Sequence, residues 1–199
     1  MVRGMAVAFS ILVTLATGLN AGDSKGKAKG DRKAKGKKNV IVLETTKGDV
    51  ELVLFTEDAP KHSANFEKLV KDKFYDGIVF HRVERDPKPF VVQAGDPVTK
   101  KDPNSQLAGQ GGATDKDGKQ YTIEAEIKRQ HKRGTLAMAR TGDDVNPERR
   151  SSSSQFYLCL ADVAFLDGKY TVFGEVTKGM DIVDKIVKGD KIKRAYVKK

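Results

Sequence analysis

"NVIVLETTKGDVELVLF", residues 39–55, sets how the rest of the chain is read. Two runs rich in Val, Ile and Leu flank Lys47-Gly48-Asp49, a pattern that predicts a β-hairpin. The period then changes. In "DAPKHSANFEKLVKD" (58–72) Phe66, Leu69 and Val70 fall at helical spacing, with Asp58 as the expected cap and Pro60 in the first turn. Strand-like runs recur at 78–83, 90–94, 121–126, 135–140, 155–160 and 170–176. "KGMDIVDKIVKGD" (178–190) predicts a second helix with Met180, Val183, Ile186 and Val187 on one face and Gly189 as its stop. Many short strands with two helices far apart in sequence indicate a closed β-barrel or sandwich with helices at its ends.

Outward from this core, the chain of 199 residues divides unevenly in charge. Its net +10 comes from 37 basic and 27 acidic residues, yet "GDSKGKAKGDRKAKGKK" (22–38) alone holds eight Lys/Arg and two Asp. With Arg3 also set aside, residues 39–199 carry 28 basic and 25 acidic residues, a near balance. The basicity therefore belongs to a tail, and specific nucleic-acid binding by the domain is not expected. Residues 22–38 lack Val, Ile, Leu and aromatics, so they are expected to be a disordered linker, with weak polyanion binding as a by-product. Before them, Arg3 and the apolar run Met5 to Leu19 read as a signal peptide over 1–21, with Ala21 as the cleavage residue and Gly18 as the competitor. That run is too short for a comfortable membrane span, so export to a periplasm or the medium is expected.

The usual enzyme templates are poorly filled. His62, His81 and His131 have no metal-ligand spacing among themselves or with Cys159, and no metal is expected. "RRSSSSQF" (149–156) supplies hydroxyls without a base at a readable distance and reads as loop. "AGQGG" (108–112) lacks the Lys-Ser/Thr of a phosphate loop and reads as a turn needing positive backbone angles. Cys159, inside "FYLCLA", is expected to be buried and inert. One oddity is left: Arg82 and Gln93 sit among Phe80, Val83, Phe90, Val91 and Val92, where polar groups are costly unless paired or facing a groove.

"FHRV" (80–83) with "FVVQAGDP" (90–97), then "GQGG" (109–112), "RGTLAMAR" (133–140), "SSQFYLCL" (153–160), "FLDGKYTVFGEV" (165–176) and "GMDIVDKI" (179–186) occur in that order. Together these six blocks resemble the cyclophilins, a family of peptidyl-prolyl cis–trans isomerases, from about residue 40 to 192 and with the tone of bacterial members. The resemblance implies a closed eight-stranded antiparallel β-barrel capped by two α-helices, in a domain spanning 39–199. It implies a cofactor-free isomerase acting on proline-containing peptides and unfolded proteins; with the signal peptide read at 1–21, the expectation is a monomer assisting folding outside the cytoplasm. Arg82 would be the cationic donor, with Gln93 and Gln155 holding it or the substrate backbone. Phe90, Val91, Tyr157 and Leu166 would line the proline pocket, and Ala139, Arg140 and Thr141 would form the groove edge that pairs with the peptide. Phe165 and Tyr170 stand where many members have Trp and His. Phe165 has no indole N–H, so weak sensitivity to cyclosporin is expected.

The chain departs from the family in two loops. Seven residues, "VERDPKP" (83–89), separate Arg82 from Phe90 where about four are usual, and "DDVNPERR" (143–150) lengthens the segment between Ala139 and Ser154. Both read as surface loops harmless to catalysis, with substrate choice left open. Two rival readings remain: a module that holds proline segments without turnover, and a polyanion binder working through residues 22–38. The first leaves Arg82 and Gln93 without a purpose.

Overall fold

The hairpin forms with its turn shifted: Thr45 pairs with Gly48, so Thr46-Lys47 is the turn rather than Lys47-Gly48-Asp49. Gly48 has φ +133°, and a Cβ there would lie 2.9 Å from Ile182 Cδ1, so glycine is required as a strand residue beside the turn. The structure, a computed structural model, describes residues 39–198. The expected signal segment 1–21 and linker 22–38 lie outside the described residues.

In chain order the elements are β1 (Val40–Thr45), β2 (Gly48–Leu54), α1 (Pro60–Lys71), β3 (Arg82–Glu84), β4 (Val91–Ala94), α2 (Val98–Lys101), β5 (Thr122–Ile123), β6 (Thr135–Met138), β7 (Ser151–Ser152), β8 (Phe156–Cys159), a 3-10 turn (Ala164–Leu166), β9 (Val172–Lys178), α3 (Met180–Val183) and β10 (Ile192–Val197). Eight strands form one antiparallel sheet in the order β10-β1-β2-β9-β6-β8-β4-β3, while β5 and β7 pair separately. The count of eight matches expectation, but the membership does not. The predicted strand at 121–126 shrinks to two residues outside the main sheet, and the unpredicted β10 takes an edge. Its buried residues Ile192 and Ala195 are three apart, because a register shift at Glu44/Thr45 breaks the alternation that would have marked a strand.

The closed barrel is corrected to a curled sheet. The order ends at β3 and β10, which do not pair as strands. Their approaches meet instead: Phe80 N–H donates to Asp190 O at 2.8 Å, Ile192 N–H donates to Ile78 O at 2.9 Å, and Val79 forms an isolated bridge with Lys191. Here the predicted strand 78–83 divides, its first half becoming this seam and only Arg82–Glu84 joining the ladder.

Helix α1 starts without the expected cap. Asp58 Oδ2 accepts from Arg129 Nε at 2.6 Å, and the N-cap residue Ala59 makes no side-chain bond. The free N–H groups of the first turn are met from far along the chain: Lys61 and His62 donate to the two carboxylate oxygens of Glu126, each at 3.0 Å. Phe66, Leu69 and Val70 face inward as their spacing predicts. Phe66 packs edge-on to Phe156 at 5.4 Å and against Tyr75 at 4.9 Å between ring centroids. The one-turn α2 adds a third helix to the expected two, and the second predicted helix is α3, shorter than expected. It stops at Val183, so Ile186 is buried but Val187, assigned to the same face, is 52% exposed. Arg85 Nη2 caps this end by donating to Val183 O and Ile186 O, which ties the 83–89 insertion down.

Candidate active site

The short strands β4, β6 and β8 are buried on both faces, and period-2 alternation sorts their side chains into two clusters. Val92, Ala94, Leu136, Met138, Phe156 and Leu158 belong to the interior. Val91, Ala137, Ala139, Tyr157 and Cys159 join Leu166, Val163, Val172 and Phe55 in a second cluster on the opposite face, with Phe90 and Tyr170 packed at its margin. Burial pushes the Cys159 thiol up to about 11, which suits a packing residue.

Register brings the polar residues to the same face. Arg82 lies opposite Gln93 on β4, and Gln93 lies opposite Tyr157 on β8. Arg82 Nη1 donates to Gln93 Oε1 at 3.4 Å, Gln93 Nε2 donates to Gln155 Oε1 at 2.9 Å, and Gln155 Nε2 donates to Gly111 O at 2.7 Å. Each amide accepts from one neighbour and donates to the next, so neither can flip without losing two bonds. The Arg82 guanidinium sits over the Phe90 ring with its carbon 5.7 Å from the centroid. Its Nε donates to Glu84 Oε1 at 3.2 Å, and its Nη2 has no partner among the described residues. Glu84 was not singled out in the sequence, although two residues along a strand from Arg82 is the spacing that shares a face.

Local structure explains the rigidity. The four serines 151–154 are all buried: Ser151 and Ser152 form β7, and Ser153 and Ser154 make the expected loop into β8. The Ser152 hydroxyl accepts from Gln155 N–H at 3.1 Å, and the Ser154 hydroxyl donates to Gly95 O at 2.7 Å. The Asp96 carboxylate accepts from Gly109 N–H at 2.7 Å and Gly111 N–H at 2.9 Å, which sets the carbonyl that receives Gln155. Of the glycines in "GQGG" only Gly109 has a positive φ, and Gly111 is needed for space, since a Cβ there would run into the Asp96 carboxylate.

At the other margin, Phe165 is 53% exposed and its ring lies 5.5 Å from that of Phe90, while Leu166 is buried beneath. Tyr170 is edge-on to Tyr157 at 6.1 Å. The expected groove edge is only partly free to pair. Ala139 uses both backbone groups internally, N–H to Gln155 O at 2.9 Å and C=O from Ser152 N–H at 2.8 Å. Thr141 O accepts from Arg140 Nη1 at 2.7 Å. That leaves Arg140 as the edge position whose backbone groups no other described residue engages. Its side chain turns inward, donating to Lys169 O at 2.8 Å, pairing with Asp143 and covering the Tyr170 ring at 4.4 Å. The 143–150 insertion thus folds onto the groove edge, where Arg149 also donates to Gly168 O at 2.6 Å.

Comparison with known proteins bears on the family and the fold. Residues 40–199 match the family model described as cyclophilin type peptidyl-prolyl cis-trans isomerase/CLD. A peptidyl-prolyl cis-trans isomerase of Helicobacter pylori (strain ATCC 700392 / 26695) is 37% identical over 153 residues, covering 74% of this chain and 80% of that protein. A probable peptidyl-prolyl cis-trans isomerase of Brucella suis biovar 1 is 39% identical over 164 residues, covering 80% and 77%. Among solved structures, a cyclophilin type peptidyl-prolyl cis-trans isomerase of Cryptosporidium parvum superposes with a TM-score of 0.67 at 24% identity, covering 81% of this chain and 98% of that one. The same protein in the presence of the dipeptide Ala-Pro gives a TM-score of 0.66 at 23% identity, covering 80% and 99%. These two structural likenesses bear on the fold.

Proposed function

The chain belongs to the cyclophilin-type peptidyl-prolyl cis–trans isomerases and accelerates rotation about X–Pro bonds, and we propose that Arg82 drives the step over a pocket made by Phe90, Val91, Tyr157 and Leu166. Twisting an amide opposes a barrier of roughly 18–20 kcal/mol because it breaks resonance. In the twisted state the prolyl nitrogen regains its lone pair, and a donor placed there stabilises that state more than the flat ones. The observation that carries the reading is the placement of Arg82. Glu84 and Gln93 engage Nε and Nη1, which leaves Nη2 as the unengaged donor above the Phe90 side of the apolar cluster. No bond to carbon forms or breaks, so the residues at hand suffice.

In this reading the substrate is a proline-containing peptide that lies along Arg140 with its pyrrolidine ring against Phe90 and Tyr157. A monomer is the proposed working unit. The deciding experiment is Arg82→Ala in a protease-coupled assay. kcat/KM should fall by about 100-fold or more while the circular dichroism spectrum is unchanged. Full activity in the variant would overturn the assignment.

The client step is proposed to be protein folding outside the cytoplasm. What supports export is the pattern of residues 1–21, a positive start followed by a short apolar run. Among the described residues no helix is long and apolar enough to cross a membrane. N-terminal sequencing of the protein from fractionated cells tests this: a start just after Gly18 or Ala21 supports export, and an intact Met1 in the cytoplasmic fraction refutes it.

A further inference from the structure

Behind the proline pocket three buried or half-buried polar side chains from three separate segments meet in a line. Tyr157 comes from the middle of β8, His131 from the segment before β6, and Asp167 directly follows the 3-10 turn that carries Phe165 and Leu166. His131 Nδ1 lies 2.9 Å from Asp167 Oδ1, and His131 Nε2 lies 3.0 Å from the Tyr157 hydroxyl. The backbone N–H of His131 also donates to Asp167 Oδ1 at 2.7 Å, so the carboxylate grips both ring and chain. The two rings are nearly parallel, 10° apart in plane, and Tyr170 stands edge-on to the imidazole at 6.3 Å.

Chemistry fixes the direction of both bonds. Burial opposes charge on Asp167, but the backbone and ring donors of His131 hold its carboxyl below the ordinary value, so it can only accept. Nδ1 must then carry the hydrogen. Burial, acting against the pull of Asp167, lowers the His131 value, which leaves Nε2 bare. The Tyr157 phenol, pushed well up by burial, must therefore be the donor to Nε2. The hydroxyl is thus bonded to a buried imidazole rather than offered to solvent.

We propose that His131, oriented by Asp167, is a positioning residue for the isomerase: it holds the Tyr157 hydroxyl out of the pocket, so that the substrate meets a fixed apolar ring. This deepens the pocket assignment above and rests on it. A hydroxyl with no acceptor would seek a partner, turn the ring or admit water, and each spoils a surface shaped for pyrrolidine. The same carboxylate ties the floor tyrosine to the turn bearing Phe165 and Leu166, so floor and rim move together. The charged and titratable groups around the imidazole are Asp167 from the turn, Tyr157 from β8, Tyr170 from the segment before β9 and Lys132 beside it in the chain.

A double-mutant cycle on the full chain tests this with an Ala-Pro peptide, measuring kcat and KM separately. His131→Leu should lower kcat/KM about tenfold, mostly through KM, and by less than about twofold in the Tyr157→Phe background, where no hydroxyl needs an acceptor. His131→Gln, which offers an acceptor oxygen, should recover part of the loss. Equal losses in both backgrounds would overturn the proposal, because a packing defect does not depend on the hydroxyl. Should His131→Leu fail to fold, Asp167→Asn replaces it, with the same coupling to Tyr157→Phe expected. Nitrogen NMR gives a readout independent of activity: the hydrogen belongs on Nδ1 of His131, and finding it on Nε2 would sink the idea. Full activity in Arg82→Ala refutes the site assignment, whereas a dead Arg82→Ala with an uncoupled cycle refutes the positioning role alone.

Discussion

Alternate residues of the same strands meet opposite fates. On β4 and β8 the inward set, Val92, Ala94, Phe156 and Leu158, is wholly apolar and held by packing. The outward set mixes Val91, Tyr157 and Cys159 with Gln93, and the Gln93 amide and the Tyr157 hydroxyl are each held by a bond to a neighbour. Both faces are buried, so burial alone does not distinguish core from site. What distinguishes them is the continuous chain of hydrogen bonds, from Arg82 to the Gly111 carbonyl on one side and from Tyr157 to Asp167 on the other.

The contrast breaks most sharply at the interior. Phe156→Ala removes a ring that touches Phe66 and Tyr75, and should cost about 3–5 kcal/mol in urea unfolding. If that variant kept wild-type stability, the inner face would not be the core. On the outer face, Gln93→Leu keeps the volume but strands the Gln155 oxygen and frees Arg82. kcat/KM should fall about tenfold, with a stability loss of only about 1–2 kcal/mol in the same unfolding experiment. A larger effect on stability than on turnover would erase the difference between the two faces.

Glu84→Gln is a finer probe. It keeps an acceptor for Arg82 Nε but removes the charge, and since both side chains are partly exposed the ion pair is screened. A two- to fivefold change in kcat/KM, about 0.4–1 kcal/mol, is expected, shrinking in about 0.5 M salt; a salt-independent effect would show that geometry rather than charge is involved.

The smallest effect concerns one of the exceptions to the rule of partnered polar groups, which among the described residues also include His62 Nε2 and Ser63 Oγ. Both ring nitrogens of His81 are buried without a partner among the described residues. Burial holds its value below the ordinary 6.5, so the unfolded chain takes up the proton first. The stability tied to the neutral ring is therefore present above pH 6.5 and is lost as pH falls through it. His62 and His131 are lowered for the same leading reason. The melting temperature should drop between about pH 7.5 and pH 5.5, and His81→Phe should reduce the drop by roughly a third. An unchanged drop would place the acid sensitivity on the other two histidines.

Local patterns were legible where one segment supplies its own reason. The hairpin, the inward face of α1 and the short strands at 91–94, 135–138 and 156–159 all follow from spacing. The family likeness set Gln93 and Gln155 near Arg82 as holders of it or of the substrate backbone; in the structure Gln93 bonds Arg82, while Gln155 bonds Gln93. Other features depended on residues far away. Helix α1 is capped by Glu126, not Asp58, because the free N–H groups accept whichever carboxylate the fold delivers. Strand β10 was missed because its buried positions follow an irregular register with β1. Glu84 was marked only by its spacing of two from Arg82, Gly111 stood in "GQGG" without a stated role, and the metal-ligand spacing test gave His131 no role.

The sequence by itself determined that this is a β-rich domain with an arginine and two glutamines set among apolar strands, and it identified the family whose chemistry needs that combination. Periodicity and motif suffice for that, since both are properties of neighbouring residues. Only the tertiary structure decided that the sheet stays open at β3 and β10, that both loop insertions are tied down by arginines, and that Asp167 reaches Tyr157 through His131. Those outcomes turn on distances between atoms remote in the chain, and folding alone sets them.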